Sequence, residues 1–232
     1  MLVLVRNVSA VNSIYVAALV ESSRGVTVNS LRALVVGHDK ILSYATLARA
    51  GIRIPKTMVV LDGVNVEDLV SKLEYPLIDK PPIGSWGRLV SIVKTPETLR
   101  QVFNHRMLLG APHLRVHVIQ KPASLGCDIR CLVVASEVVA CMERRSESDW
   151  RSNAALGATV KAYKPSEELV ELAVKASEAV GAEVAGVDIV FDNEGFYVNE
   201  VNVVPEFKAL VRATGANVAK AIVDHVERKL KT

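Results

Sequence analysis

The sequence predicts an α/β (α+β) fold of two closely joined lobes, and three observations predict it. Half of the 232 residues are hydrophobic, ample apolar material for a core that folds unaided. Up to about residue 114, short β-type runs alternate with capped helical stretches, and from residue 115 onward longer apolar strands dominate. No internal repeat or low-complexity linker divides the chain, so the lobes would share one hinge near Val118-Ile119-Gln120-Lys121-Pro122.

Leu2 to Arg6 reads as a short buried strand, followed by a helical stretch to about Ser23. Asp39 suits the N-cap of a helix with Ile41, Leu42, Ala45 and Ala48 at helical spacing, stopped by Gly51 before Pro55. Residues 57–61 and 76–80 read as strands around an amphipathic stretch at 65–73, and 88–93 as a strand after a glycine-bracketed loop. Thr95-Pro96-Glu97 combines a cap, a first-turn proline and an acid favoured by the helix dipole. The helix it opens would turn Leu99, Val102, Phe103 and Met107 inward. In the second lobe, strands are expected at 115–120, 128–135, 137–145, 184–191 and 196–202, with a helix at 166–180 and closing helices from Glu206 to Lys229.

Composition excludes several classes of function. A net charge of +3 with 5% aromatic residues offers too little basic and aromatic surface for nucleic acid, though it tolerates an acidic partner. No stretch reaches the apolar length of a membrane span, and Arg6 interrupts the N-terminal apolar run too early for a signal sequence. The expected location is therefore cytoplasmic. Cys127, Cys131 and Cys141 are odd in number, lack CxxC spacing and fall in strand-like stretches, so they are expected as buried reduced thiols. The five histidines form no ligand spacing and are expected at the surface or in packing.

Two stretches carry chemistry. Lys80 precedes Gly84-Ser85-Trp86-Gly87-Arg88, where pliable backbone can bring amides close to anionic oxygens while the lysine adds a point charge. A plain surface turn accounts for the loop equally well, and its spacing fits neither a P-loop nor a Rossmann fingerprint. Near the C-terminus, two apolar strands flank Asn193-Glu194-Gly195, which suits a three-residue hairpin loop with Gly195 in the left-handed region. That register sets Asp188 opposite Glu200, and Asn202 projects from the same face as Glu200. Facing carboxylates call for a cation between them, and hard oxygen donors suit Mg²⁺. A solvated acidic hairpin end is the alternative, and the apolar residues interleaved with the acids oppose it.

These motifs, taken in order, resemble the ATP-grasp ligases of the RimK-like branch. The match runs from Asp39-Lys40 through Lys80 and the glycine loop, Asp128-Ile129-Arg130, the stretch 144–157 and Asp188 to Asn199-Glu200-Val201-Asn202, over roughly residues 30–230. It is closest to the LysX/ArgX ligases of carrier-protein-dependent lysine and arginine biosynthesis. The resemblance implies ATP held between the sheets of two lobes. Residues 1–38 would then be the closing part of an N-terminal α/β domain that is fuller in relatives, 39–114 the small lobe, and 115–232 the large lobe with the metal site.

Carried over by position, Lys40 and Lys80 match ATP-contacting lysines, and residues 84–88 would close over the phosphates. Gln120, Lys121, Pro122 and Ala123 would meet adenine mainly through backbone groups, Lys121 departing from the acidic residue usual there, and Asp128 falls among the nucleotide-contacting positions. Asp188, Glu200 and Asn202 match the ligands of Mg²⁺, or of Mn²⁺ in its place, while Arg130, Arg145 and Asn153 match positions around the transferred phosphate and acyl group. Arg144 and Arg145 would face opposite ways on a strand, and Arg145 is the one expected to enter the site. Glu206, Phe207 and Lys208 open a helix beyond the metal strand, with Glu206 as a first-turn acid and Phe207 in the core, and the resemblance offers a substrate-side role as the alternative.

The implied reaction converts a carboxylate into an acyl phosphate, which an amine then attacks. The implied partners are a small acidic amino-group carrier protein, whose C-terminal glutamate side chain is activated, and α-aminoadipate or glutamate. A RimK-like glutamate ligase acting on another protein or peptide, and an ATP-binding regulatory module without ligase activity, are the competing readings. A homo-oligomer is compatible with the sequence.

Overall fold

The structure, a computed structural model, describes residues 1–84, 86–152 and 157–231. The chain runs through β1 (Leu2–Leu4), α1 (Ala10–Ser22), β2 (Val26–Val28), α2 (Leu31–His38) and α3 (Lys40–Arg49). It continues through β3 (Thr57–Val60), α4 (Glu67–Val70), β4 (Leu77–Lys80), β5 (Ser91–Val93) and α5 (Pro96–Leu108). After a 3₁₀ turn at Pro112–Arg115 come β6 (His117–Gln120), β7 (Cys127–Val134), β8 (Glu137–Arg145), β9 (Thr159–Tyr163) and α6 (Glu167–Val180). β10 (Val184–Asp192), β11 (Gly195–Asn202), α7 (Lys208–Thr214) and α8 (Val218–Leu230) complete it.

Capping side chains set the helix starts. Asp39 Oδ1 accepts from the amides of Ile41 and Leu42, at 2.8 and 3.1 Å, and Thr95 Oγ1 accepts from the Thr98 amide at 3.2 Å. The buried faces differ in part from those expected. α3 buries Ser43, Tyr44 and Leu47, and Leu42 is exposed, because the Tyr44 hydroxyl reaches across to donate to the Asn199 carbonyl at 2.7 Å. α5 buries Leu99 and Phe103, but the third inward side chain is Arg106, and Met107 points to solvent.

Two sheets result. β11-β10-β7-β8-β9 is antiparallel throughout, and β3-β6-β4-β5 forms the smaller sheet. β6, expected in the large lobe, is hydrogen-bonded between β3 and β4 in the smaller sheet. The cores also group differently from the expected segments. Val5, Ala17, Ala33, Leu34 and Leu47 pack with α6 against one face of the larger sheet, so the first fifty residues share its core. Leu210, Val218 and Ile222 of α7 and α8 cover the other face over Leu132, Val134 and Met142. Leu99 and Phe103 pack on Leu77, Val93 and Ile119 in the smaller lobe. Among the described residues no helix is long and apolar enough to cross a membrane.

The β10–β11 hairpin closes one residue tighter than expected. Asp192 pairs with Gly195 across a two-residue turn, and a β-bulge between Asp188 and Ile189 then adds Asn199, restoring Asp188 opposite Glu200. The cysteine expectation is corrected: Cys131 and Cys141, directly opposite on β7 and β8, form a disulfide, and Cys127 alone stays a free buried thiol. A pairing across strands leaves no spacing signature, which is why composition missed it. Unreduced, denatured protein should therefore titrate a single thiol, rising to three after reduction. Replacing both partners by alanine should lower stability by about 2–3 kcal/mol in non-reducing denaturant melts, the loop-closure value for a ten-residue separation.

Candidate active site

The two sheets face one another across a cleft of about 900 Å³, its open mouth included. β4 delivers Lys80 into it as the last residue of a strand whose backbone is fixed by β6. Lys80 is 7% exposed, and its Nζ donates to Gln120 Oε1 at 2.5 Å and to Asn199 Oδ1 at 2.8 Å. Burial pushes its ammonium down to about 8, with Glu200 pulling the other way and Lys40 reinforcing the fall. Lys40 opens α3 and spans the cleft, donating to the Gly84 carbonyl at 3.0 Å while its Nζ lies 3.4 Å from Glu200.

The loop after β4 takes left-handed backbone at Trp86, Gly87 and Leu89 (φ 63°, 68° and 56°), a conformation that favours glycine and strains the other two. Arg88 lies over the Trp86 ring at 5.5 Å. From the larger lobe, Arg151 Nη1 donates to the Gly87 carbonyl at 3.4 Å, so loops from both lobes meet above the cleft. Along the hinge, the Lys121 amide is held by the Lys56 carbonyl at 3.0 Å and Pro122 has none, so Ala123 supplies the first amide able to meet a ligand there.

The floor is an alternating ion-pair array on three adjacent strands. Arg144 on β8 forks onto Asp128 on β7, with bonds of 2.6 and 2.5 Å, and also reaches Asp188 on β10 at 2.9 Å. Arg130 forks onto the other side of Asp188, at 2.5 and 2.6 Å. Burial pushes the Asp188 carboxyl up, but the two guanidiniums outweigh it and hold the group down at about 2. Burial raises the Asp128 carboxyl against the pull of Arg144.

The structure thus brings Lys40, Lys80, Gly84, Trp86, Gly87, Arg88, Gln120, Lys121, Pro122, Ala123, Asp128, Asp188 and Glu200 to one cleft. Arg130 and Asn202 join it through Asp188, to whose Oδ2 the Asn202 amide donates at 3.4 Å. Arg145 does not enter. It points to solvent and pairs with Glu143 at 2.7 Å, and Arg144 takes the inward place. At this end of β8 both faces carry charge, Arg144 opposite Asp128 on one and Arg145 with Glu143 on the other, so alternation of polarity could not tell the two arginines apart. Ser85 and Asn153 lie outside the described residues. The sequence reading missed Asn199, because only the bulge lets it and Glu200 reach the same side. Glu206 is exposed and its carboxylate caps the Lys208 amide at 2.7 Å, while Phe207 packs beneath Arg6.

These residues fit a hard divalent cation held in part by its ligand. Among the described residues, no group of three or more His, Cys, Asp or Glu side chains could hold a metal. An ion here would rest on Glu200, Asn202 and Asp188 and draw further oxygens from a bound phosphate, the usual habit of Mg²⁺. Glu200 is more open than Asp188, its side chain 31% exposed against 5%, and it pairs with Lys40 at 3.4 Å. The array also yields a direct check on the arginines. Arg144→Met should destabilise the protein by about 3–5 kcal/mol, because it leaves buried carboxylate charge uncompensated. Arg145→Met should leave the denaturant midpoint unchanged.

Residues 37–226 match the model of the RimK-like ATP-grasp domain. The chain is 38% identical over 227 residues to the glutamate--LysW ligase ArgX of Sulfurisphaera tokodaii, covering 97% of this chain and 80% of that protein. It is 32% identical over 234 residues to the alpha-aminoadipate--LysW ligase LysX of the same organism, covering 99% and 81%. The crystal structure of a RimK domain ATP-grasp protein from Sphaerobacter thermophilus shares the fold, with a TM-score of 0.77 at 23% identity over 97% of this chain and 80% of that one. The chain therefore belongs to the RimK-like ATP-grasp family.

Proposed function

We propose that this protein is an ATP- and Mg²⁺-dependent carboxylate–amine ligase that activates the C-terminal glutamate side chain of a small acidic, LysW-like carrier protein. The amine it joins there is glutamate or α-aminoadipate, in arginine or lysine biosynthesis. One observation carries the reading: cationic groups suited to polyphosphate and oxygen donors suited to a metal meet at a single point, where Lys80 bonds Asn199, the neighbour of Glu200. The likeness to carrier-protein ligases over nearly the whole chain supplies the substrate class.

In this reading, Lys40, Lys80 and the glycine-loop amides bind the phosphates, and Lys121 and Ala123 meet adenine through the backbone. Mg²⁺, when held by Asp188, Glu200 and Asn202, would neutralise charge on the phosphates. Arg130 and Arg144 keep Asp188 ionised and present guanidinium charge beside the reacting groups, where negative charge grows during phosphoryl transfer. A carboxylate oxygen attacks the terminal phosphorus, giving the acyl phosphate and ADP. The amine nitrogen attacks the acyl carbon, phosphate leaves, and the nitrogen loses a proton. The chemistry needs no protein nucleophile. Arg151 on Gly87 keeps the roof closed and water away from the acyl phosphate.

Intact mass spectrometry of the acidic carrier, incubated with protein, Mg·ATP and equal glutamate and α-aminoadipate, should show a mass gain whose size names the amino acid. Nucleotide binding without any gain would favour a regulatory module or a different acceptor. Glu200→Gln should abolish Mg²⁺-dependent turnover, and retained turnover would remove Glu200 from the metal site. Lys80 is charged below its lowered pKa and neutral above it, so nucleotide affinity should fall as pH rises through about 8. The limiting slope is about tenfold per pH unit, and Lys80→Met should flatten it.

A further inference from the structure

The segment that carries Lys80 and the glycine loop begins and ends on one buried side chain. Arg106 of α5 is 2% exposed. Its Nη1 donates to the carbonyls of Lys80 and Val116, at 3.4 and 3.3 Å, and its Nη2 donates to the carbonyl of Leu89 at 3.2 Å. Lys80 and Leu89 bracket the loop, so a single guanidinium holds both ends of it. Leu89 is one of the residues in left-handed backbone, a conformation that persists only where surrounding contacts determine it.

The guanidinium is itself held. Asp79, fully buried beside Lys80, forms an ion pair with Nη2 through one oxygen at 2.5 Å and a hydrogen bond with His117 Nδ1 through the other at 2.9 Å. The His117 ring stacks on Phe103, one turn before Arg106 on α5, with centroids 3.7 Å apart and planes 7° from parallel. Packing alone does not explain this arrangement. An apolar side chain at Arg106 with a neutral partner would fill the same space without the penalty of burying two charges. What the charged pair adds is a planar fork able to grip several backbone carbonyls at once, which neither lysine nor an apolar residue can do.

We propose that Arg106 is a positioning residue for the nucleotide: by tying Lys80 to Leu89 it fixes the span of the phosphate-binding loop and the place of its lysine. It touches no substrate. The inference rests on the reading of the cleft as an ATP site and adds the device that shapes it.

Arg106→Lys is the discriminating variant, because it keeps the ion pair with Asp79 but cannot hold the carbonyls of Lys80 and Leu89 together. The dissociation constant for Mg·ADP, read from tryptophan fluorescence, should rise about tenfold. Trypsin cleavage after the exposed Arg88 should accelerate, while the KM for the amino acid stays put. Unchanged ADP affinity and unchanged Arg88 cleavage would overturn the proposal. So would a parallel loss of affinity for every substrate together with cooperative unfolding, since that pattern marks a structural residue only. If Arg106→Lys does not fold, the neutral pair Asp79→Asn with Arg106→Leu gives the same readouts. The ADP measurement needs no acceptor, so it separates two failures. Wild-type protein that binds ADP but modifies no carrier removes the ligase reading and leaves the clamp, whereas wild-type protein that binds no nucleotide removes both.

Discussion

The arrangement depends first on the chain of opposite charges along the floor of the cleft, Asp128, Arg144, Asp188 and Arg130. Each carboxylate is buried, and each would be costly there alone. Antiparallel pairing makes the array affordable: Asp128 faces Arg144 and Arg130 faces Asp188 across neighbouring strands, so every charge meets its partner at the distance set by the sheet. On β7 the same face continues as Leu132 and Val134 beneath α7 and α8. One strand face is thus ionic at the cleft end and apolar at the other. The register that packs the core also builds the site, and neither can slip by one residue without the other.

The first fifty residues act as a brace for this sheet. Asn29 donates to the carbonyls of Val184 and Val203 and accepts from the amides of Glu183 and Val184, joining the end of β2 to the start of β10 and the end of β11. Tyr44 fixes Asn199 from the other side. α3 therefore belongs to the core of the larger lobe by packing, yet its first residue, Lys40, reaches the loop of the smaller one. One element is thus seated in one lobe and bonded to the loop of the other, so α3 ties the two sides of the cleft together.

Much of this was legible in the sequence, and the limits have physical causes. Strong local signals held: the Asp39 and Thr95 caps, the strand at 137–145 and the pairing of Asp188 with Glu200 all appear. β2 was missed because three residues carry too little pattern, and β9 because its alternation is weak. Arg106 was missed because an arginine on a helix is expected outside, and only the opposing Asp79 and His117 justify bringing it in. The choice between Arg144 and Arg145, like the Cys131–Cys141 bond, turns on which residue stands opposite which. The register of that hairpin depends on a bulge between Leu132 and Val133, which local spacing does not reveal.

The bulge on β11 couples two distant lengths of the same hairpin. The turn at Asn193-Glu194 is one residue shorter than a three-residue loop, and Asn199 is one residue more than a regular ladder holds, so the two offsets cancel at Glu200. A deletion in the turn would transpose the side chains between it and the bulge, whereas a deletion at the bulge would make the ladder regular and transpose none. Loss of Asn199 would let Glu200 follow Val198 directly, still opposite Asp188, and would remove the side chain that holds Lys80. The bulge thus carries an asparagine that the ladder itself does not need, and that one extra residue ties β11 to Lys80 across the cleft.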